Sequence, residues 1–136
     1  MNTFHKEERL CSRRSLDLLF KNGSSFLLYP FRVSYLYTNV SSQFPVQVVI
    51  NVSKKRFKKA VDRNLLKRRS REAYRLQKQR HLYEVLPASD DLLLLSLQYV
   101  GKQIYEYDFF DKKLNAVLKK LVSALQAKAA QHELGE

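Results

Sequence analysis

The chain has 136 residues, of which 45% are hydrophobic and 12% aromatic, and this composition suits one compact domain with an apolar core. Its single cysteine, Cys11, excludes an internal disulfide. The N-terminal segment lacks the apolar run of a signal peptide, and no apolar stretch approaches the roughly 20 residues that span a bilayer. We expect a soluble cytoplasmic protein with one domain over residues 1–136 and flexible ends over 1–8 and 129–136.

The positive charge is concentrated between Lys54 and Arg80. This segment holds 13 of the 25 Lys and Arg residues but only two acids, Asp62 and Glu72, and accounts for +11 of the formal net charge of +12. Charge that serves solubility alone is interspersed with acids over the whole surface. The concentration predicts a binding surface for a polyanion, and nucleic acid is the first candidate.

The first predicted element is a helix that begins after Ser12 and ends before Gly23. Its apolar side carries Leu16, Leu19 and Phe20, and this pattern alone favours a core position for Phe20. Three strands are predicted to follow, at Ser24–Tyr29, Phe31–Thr38 and Val46–Val52.

Tyrosines are frequent in the first two predicted strands, which Pro30 separates. Period-two alternation places Tyr35 and Tyr37 on one face of the second strand. We expect these two residues and Tyr29 to pack within the sheet, although the aromatic residues of a sheet can also stack on bases.

The second half of the chain is predicted to contain a basic helix, a strand and an amphipathic helix. The basic helix is expected from Val61 to Tyr83, with Asp62 as its N-cap. A strand over Asp90–Val100 contains the apolar run Leu92–Leu95, which is typical of a strand covered on both faces. With the last helix at Asp108–Gln131, the order α-βββ-α-β-α predicts a single-domain α+β sandwich.

The residues of the basic helix separate into two faces when they are placed at intervals of about 100°. The apolar face contains Leu65, Leu66, Ala73 and Leu76. The opposite arc, which no acid interrupts, contains Arg63, Asn64, Lys67, Arg68, Arg71, Tyr74, Arg75 and Lys78. Like charges four residues apart destabilise an isolated helix by roughly 0.2–0.5 kcal/mol per pair, and phosphates would relieve this repulsion. The arc therefore predicts RNA contact rather than a solvated charged face.

A second group of cations lies between the third strand and the basic helix: Lys54, Lys55, Arg56, Lys58 and Lys59. These residues are expected at the same edge of the sheet as the first amides of the helix, which also attract anions. We expect this loop to bind RNA together with the helix.

The stretch from Asn51 to Arg75 resembles the signature of the bacterial ribonuclease P protein component. In that family a Val-Ser-Lys-Lys turn leads through an Ala-Val element into Arg-Asn-x-x-Lys-Arg-x-x-Arg-Glu. The last part of the signature is present here as Arg63, Asn64, Lys67, Arg68, Arg71 and Glu72. The segment Leu10–Gly23 is similar to the family's first helix, so the resemblance covers nearly the whole chain.

The resemblance implies a fold like the second domain of ribosomal protein S5, with a left-handed βαβ crossover that departs from the usual right-handed rule. It also implies a monomeric subunit that joins the ribonuclease P RNA in a 1:1 complex and assists removal of the 5′ leader from precursor tRNA. Catalysis and Mg²⁺ binding then belong mainly to the RNA. On this reading the protein has no catalytic residue and no metal site of its own.

Specific sites follow from the same resemblance. The family's basic-helix residues contact the RNA, and a cleft between the first helix and the sheet holds the leader. The cleft positions in this sequence are Leu16, Phe20, Arg32, Ser34, Asn51 and Ser53. Two positions depart from the family pattern: Leu16 stands where many members have Phe, and Arg56–Lys59 replaces a loop that often contains Gly.

Two other functions compete with this hypothesis. A ribosomal or general RNA-binding protein could use the same basic helix without any preference for a leader. A helix-turn-helix DNA-binding protein is disfavoured, because no short partner helix is predicted directly before the basic helix. The sequence also shows no nucleophile–base constellation and no Gly-rich phosphate loop, which argues against a self-sufficient nuclease.

Overall fold

The computed structural model describes residues 4–40, 42–87 and 91–134, and for residues 129–134 it describes the backbone alone. Its helices and strands, in chain order, are α1 (Arg13–Asn22), β1 (Ser24–Leu28), β2 (Phe31–Thr38), β3 (Val46–Val52), α2 (Ala60–Lys78), β4 (Leu92–Tyr99) and α3 (Tyr107–Leu134). A short 3-10 helix, Lys6–Glu8, precedes α1, and a π-helical segment, Gln79–Tyr83, continues α2. Within the described ranges, no helix is both long enough and apolar enough to cross a membrane.

The four strands of the described chain form one mixed sheet in the order β1-β2-β4-β3. β2 is antiparallel to both β1 and β4, whereas β3 is parallel to β4. Parallel neighbours cannot be joined by a tight turn, so α2 forms the connection between β3 and β4. The predicted α+β class and element order are confirmed, and the left hand of the crossover stays a prediction.

The main core lies between the sheet and the two long helices, α2 and α3. Leu93, Leu95 and Leu97 of the inner strand β4 are completely buried there with Phe110 and Leu114 of α3. The run predicted to be covered on both faces is indeed buried throughout. Burial of large aliphatic side chains contributes roughly 1.5–3 kcal/mol each, so β4 is the strand around which the fold is stabilised.

A smaller core lies on the opposite face of the sheet, under α1. Leu10 and Leu19 pack there against Leu92 and Leu94 of β4. Helix α1 begins as predicted, because the Ser12 hydroxyl accepts a hydrogen bond of 3.3 Å from the Ser15 amide.

Gly23 is required where α1 ends and β1 begins. A Cβ atom at this position would lie 2.4 Å from the carbonyl oxygen of Leu19 and 2.9 Å from that of Tyr35. The absence of a side chain therefore lets the helix end close to the sheet. This explains in physical terms the stop signal that the sequence predicts.

The residues that α2 buries differ from those of the apolar face that was predicted by placing its residues at intervals of about 100°. Its buried residues are Leu66, Ser70, Ala73, Tyr74, Gln77 and Lys78. The placement of Tyr74 and Lys78 on the exposed arc was therefore wrong, and Leu76, predicted on the apolar face, is 42% exposed. Two polar side chains on this face donate hydrogen bonds: Ser70 to the Leu66 carbonyl at 2.8 Å, and Gln77 to the Asp111 carboxylate at 2.7 Å.

The start of α2 also differs from the prediction. The helix begins at Ala60 with Lys59 as the capping residue, so Asp62 lies inside the first turn and is not the N-cap. The first helical bond, from the Arg63 amide to the Lys59 carbonyl at 3.2 Å, sets this earlier start. A carboxylate in the first turn still interacts favourably with the helix dipole.

A buried ion pair connects the N-terminal segment to α2. The carboxylate of Glu8, in the segment expected to be flexible, is completely buried and accepts hydrogen bonds from the Lys78 ammonium and, at 2.5 Å, from the Tyr83 hydroxyl. The His5 amide donates a further bond of 2.7 Å. Burial by itself raises the pKa of Glu8, but these hydrogen bonds outweigh burial, and the pKa lies below its ordinary value of 4.5.

Replacing Glu8 by Gln is expected to lower the free energy of unfolding at pH 7 by roughly 3–5 kcal/mol, because the buried Lys78 ammonium would lose the negative charge of Glu8. Urea denaturation of the wild type and the variant measures the difference. Glu7→Gln is the matched control, since Glu7 is the exposed neighbouring acid.

The effect has a defined pH dependence. A lowered pKa means that the contribution of Glu8 is fully present above the unfolded-state pKa, near 4.5, and is lost as the pH falls through the folded-state value. The stabilities of the wild type and Glu8→Gln should therefore converge in acid. Equal stability at pH 7, or a gap that stays constant into acid, would contradict the structural role of the pair.

Candidate nucleic-acid interface

The exposed side of α2 carries most of the predicted basic arc. Six of its eight residues lie at least partly at the surface: Arg63, Asn64, Lys67, Arg68, Arg71 and Arg75. Arg71 also lines a small surface pocket of about 140 Å³ together with Phe4 and Arg9 of the N-terminal segment. The exposed Arg9 thus extends the basic surface, although nothing in its sequence neighbourhood distinguished it.

The basic loop, Lys54–Lys59, is held against the beginning of α2. One nitrogen of the Arg63 guanidinium, Nη1, donates to the carbonyl oxygens of Phe57 and Lys58, each at 2.8 Å. Phe57 is buried, with its ring centroid 6.0 Å from that of Tyr99 in the main core. All five cationic side chains of the loop are exposed, so the loop presents its charge to solvent from a fixed backbone.

One member of the arc is neutralised by an acid of the same helix. Arg75 forms an ion pair with Glu72, with 2.5 Å between Nη2 and Oε1. The guanidinium lowers the pKa of Glu72, so the carboxylate stays ionised at neutral pH. The uninterrupted positive surface therefore runs from the basic loop along Asn64, Arg68 and Arg71.

The predicted cleft residues of the sheet lie together on the face that α1 covers. Arg32 of β2 pairs in register with Gln98 of β4, which pairs with Asn51 of β3. One step along the sheet, Ser34 pairs with Ser96. These residues form a polar strip across three strands, beside the small apolar core under α1.

On helix α1, the predicted cleft residues are Leu16 and Phe20. Leu16 is partly buried against the small core, whereas Phe20 is 59% exposed. The core position that the apolar pattern favoured for Phe20 was therefore wrong, and its ring is accessible. Directly after β3, the hydroxyl of Ser53, another predicted cleft residue, accepts a hydrogen bond of 3.2 Å from the Lys55 amide of the basic loop.

Two polar residues of this strip, Ser96 and Gln98, were not selected from the sequence. They are the polar residues of an otherwise largely apolar strand, and their spacing of two gives them the same face. Ser96 is buried and Gln98 is partly exposed. Polar residues at alternate positions of a strand covered on both faces were the signal that could have revealed them.

The tyrosines of the first two strands occupy different environments. Tyr35 and Tyr37 pack against the main core, as predicted. Tyr29 does not: it lies in the turn between β1 and β2 and is 43% exposed. The expectation that Tyr29 packs within the sheet was wrong because β1 ends at Leu28.

Comparisons with known proteins agree on one family. A sequence profile described as Ribonuclease P matches residues 4–122. The ribonuclease P protein component of Porphyromonas gingivalis is 30% identical over 129 residues, covering 94% of this chain and 93% of that protein. The protein of the same name from Petrotoga mobilis is 31% identical over 125 residues, covering 92% and 97%. Among solved structures, the ribonuclease P protein from Thermotoga maritima is similar with a TM-score of 0.64 and 28% identity, covering 83% of this chain and 96% of that one.

Replacing Arg68 and Arg71 by Ala is expected to weaken binding to a bacterial ribonuclease P RNA and to reduce the slope of log K against log salt by about 2 in absolute value. Each exposed cation that neutralises a phosphate contributes about one to this slope. Filter binding or fluorescence anisotropy over a range of salt concentrations measures the change.

The matched control replaces Lys112 and Lys119 of α3 by Ala. Both lysines are exposed, and their replacement removes the same amount of charge as the replacement of Arg68 and Arg71. Circular dichroism verifies that the variants are folded. A reduction of the slope that is equal for both pairs would show that the basic face of α2 has no special role.

Proposed function

Because the chain belongs to the ribonuclease P protein family, we propose that it binds the ribonuclease P RNA through α2 and the basic loop, and the 5′ leader of precursor tRNA in the cleft beside α1. Its membership makes it a protein component of an endoribonuclease that processes tRNA. The family resemblance in the sequence is thereby confirmed. The two RNA contacts are our proposal.

The observation that carries the first contact is the continuous positive surface of α2 and the basic loop. Arginine forks can bind phosphate oxygens with two parallel hydrogen bonds, and the amides at the start of a helix attract the same groups. The bonds from Arg63 to the loop carbonyls hold the two cationic elements together. A rigid array of this kind suits a folded RNA, whose phosphates have fixed positions.

The second contact is supported by the different chemistry of the cleft. An exposed aromatic ring, Phe20, stands beside a strip of amide, hydroxyl and guanidinium groups that includes Arg32 and Asn51. Single-stranded RNA exposes base faces for stacking and base edges for hydrogen bonds. The cleft therefore offers partners for unpaired nucleotides, whereas the basic face of α2 offers partners mainly for phosphates.

The chemical step is assigned to the RNA partner. Mg²⁺ held mainly by the RNA would supply the charge stabilisation and the activated water that phosphodiester hydrolysis needs. This chain, as one monomer per RNA in the cytoplasm, would reduce repulsion between RNA and substrate phosphates and extend the substrate site onto the leader. Both effects lower the concentration of Mg²⁺ that cleavage requires.

A general RNA-binding protein is the second candidate. The basic surface of α2 would serve it equally well, so salt dependence does not distinguish the two functions. A preference for tRNA that carries a leader distinguishes the two functions, because only the proposed function gives the cleft beside α1 a substrate.

Replacing Phe20 by Ala is expected to raise the dissociation constant of the holoenzyme for precursor tRNA about 10-fold and to leave that for mature tRNA nearly unchanged. Stacking of a base on an aromatic ring contributes roughly 1–3 kcal/mol, and mature tRNA has no leader to stack. Binding is measured in Ca²⁺ to suppress cleavage.

Leu18→Ala is the matched control, because Leu18 is also an exposed apolar residue of α1 at 42% exposure but lies on the other flank, beside Val40. Equal effects of Phe20→Ala on precursor and mature tRNA would remove Phe20 from a leader cleft. A loss as large for Leu18→Ala would indicate a general effect on α1.

A further inference from the structure

Three loops meet at the edge of the sheet where β3 and β4 end. The turn between β1 and β2 accepts a hydrogen bond of 2.7 Å at the Pro30 carbonyl from the Val100 amide. The Val100 carbonyl in turn accepts one of 3.0 Å from the Arg56 guanidinium of the basic loop. The loop that follows β4, residues 100–106, is thus tied to both of the others.

This loop is also fixed internally. The Tyr99 hydroxyl donates to the Gln103 carbonyl at 2.5 Å. Gly101 lies directly on the same ring, since a Cβ atom there would be 2.4 Å from the Tyr99 hydroxyl oxygen. Farther along, the Arg69 guanidinium donates to the Tyr105 carbonyl. The side chains of the loop therefore extend from a rigid backbone.

The exposed ring of Tyr29 is held by this loop. Its hydroxyl accepts a hydrogen bond of 3.2 Å from the Lys102 amide and lies 3.1 Å from the Tyr105 hydroxyl. Tyr105 supports the ring of Tyr29 edge-on, with 6.4 Å between centroids, and is itself stacked on Phe109 at 4.0 Å. The polar end of Tyr29 is fixed, while 43% of the residue remains exposed.

The charge around Tyr29 favours an anionic chain with flat apolar groups. Arg56 and Lys102 are exposed cations beside the tyrosine, and the rest of the basic loop continues from Arg56. Two exposed acids, Glu106 and Asp108, lie where α3 begins. Lys113 adds a positive charge to the same region, since its ammonium lies 5.5 Å from the centroid of the Phe109 ring. A nucleotide combines a stacking face with a phosphate, which matches this combination of groups.

Tyr29 lies close to the predicted cleft along the direction of the strands. The register of the sheet puts Leu27, Arg32, Gln98 and Asn51 in one row. Only one further row of paired residues separates these side chains from the edge at which Tyr29 and the loop after β4 lie. A single strand that leaves the predicted cleft over this edge passes the turn that carries Tyr29.

We propose that Tyr29 is a stacking platform for one nucleobase of the 5′ leader outside the cleft, with Lys102 and Arg56 beside the adjoining phosphates. The site rests on the proposed function, because it takes the leader as its ligand. Its physical advantage is preorganisation: two hydrogen bonds immobilise the hydroxyl before binding, so little side-chain entropy remains to be lost on stacking.

The chain contains no tryptophan, so Tyr29→Trp introduces a single fluorescent reporter at the platform. The holoenzyme is assembled with a bacterial ribonuclease P RNA and titrated in Ca²⁺ with two precursor tRNAs. One has a normal leader, and the other has abasic nucleotides throughout the leader with the phosphates retained. Fluorescence should be quenched by the normal precursor and remain within a few per cent of its starting value with the abasic one. Quenching by both, by neither, or by the ribonuclease P RNA before substrate is added would overturn the proposal.

Affinity measurements on two further variants separate stacking from structure. Tyr29→Leu should weaken binding of the normal precursor about 5- to 10-fold and leave that of the abasic precursor unchanged. Tyr29→Phe keeps the ring but loses both hydrogen bonds of the hydroxyl. It should therefore bind the normal precursor more tightly than Tyr29→Leu does and about 2- to 3-fold more weakly than the wild type. Unchanged affinity of Tyr29→Leu for the normal precursor, while the wild type still prefers precursor to mature tRNA, would overturn the platform alone. Loss of that preference in the wild type would instead overturn the proposed function.

Discussion

The parallel pairing of β3 with the buried strand β4 is the constraint on which the rest of the molecule depends. Parallel neighbours need a crossover, and α2 supplies it on the face of the sheet that also carries α3. The basic loop consequently begins where β3 ends, at the same edge as the loop after β4. Helix α1 is left to cover the opposite face, and it covers that face only in part. The predicted cleft residues and the basic helix therefore lie on different sides of one sheet.

The two sides of the sheet offer different groups for binding RNA. The basic face of α2 carries like charges that repel one another in the free protein, while its buried face holds it firmly through Ser70, Gln77 and Lys78. Packing of the buried face thus stabilises α2, although repulsion between its surface charges destabilises it. The predicted cleft residues, by contrast, offer one guanidinium among amide, hydroxyl and aromatic groups. We propose that the first surface binds the RNA subunit and the second binds unpaired nucleotides.

Local patterns predicted the elements well and their burial less well. Ser12 and Gly23 end α1 through hydrogen bonds with residues three and four positions away. Alternation located β2, and a run of β-branched residues located β3. The burial of Lys78 depends on its ion pair with Glu8, 70 residues away. The position of the Tyr29 side chain depends on a hydrogen bond from the Lys102 amide, 73 residues away. Neither contact leaves a periodic signal in the sequence. Phe20 was misjudged for a related reason: an apolar stripe gives no information on how much of a helix the sheet covers.

Cleavage of precursor tRNA by a bacterial ribonuclease P RNA at limiting Mg²⁺, with and without this chain, tests the central claim most directly. The proposed function predicts that the RNA alone is nearly inactive under these conditions and that adding the chain restores cleavage at the mature 5′ end. Absence of stimulation, despite salt-sensitive binding to the same RNA, would contradict the subunit role and favour a general RNA-binding protein.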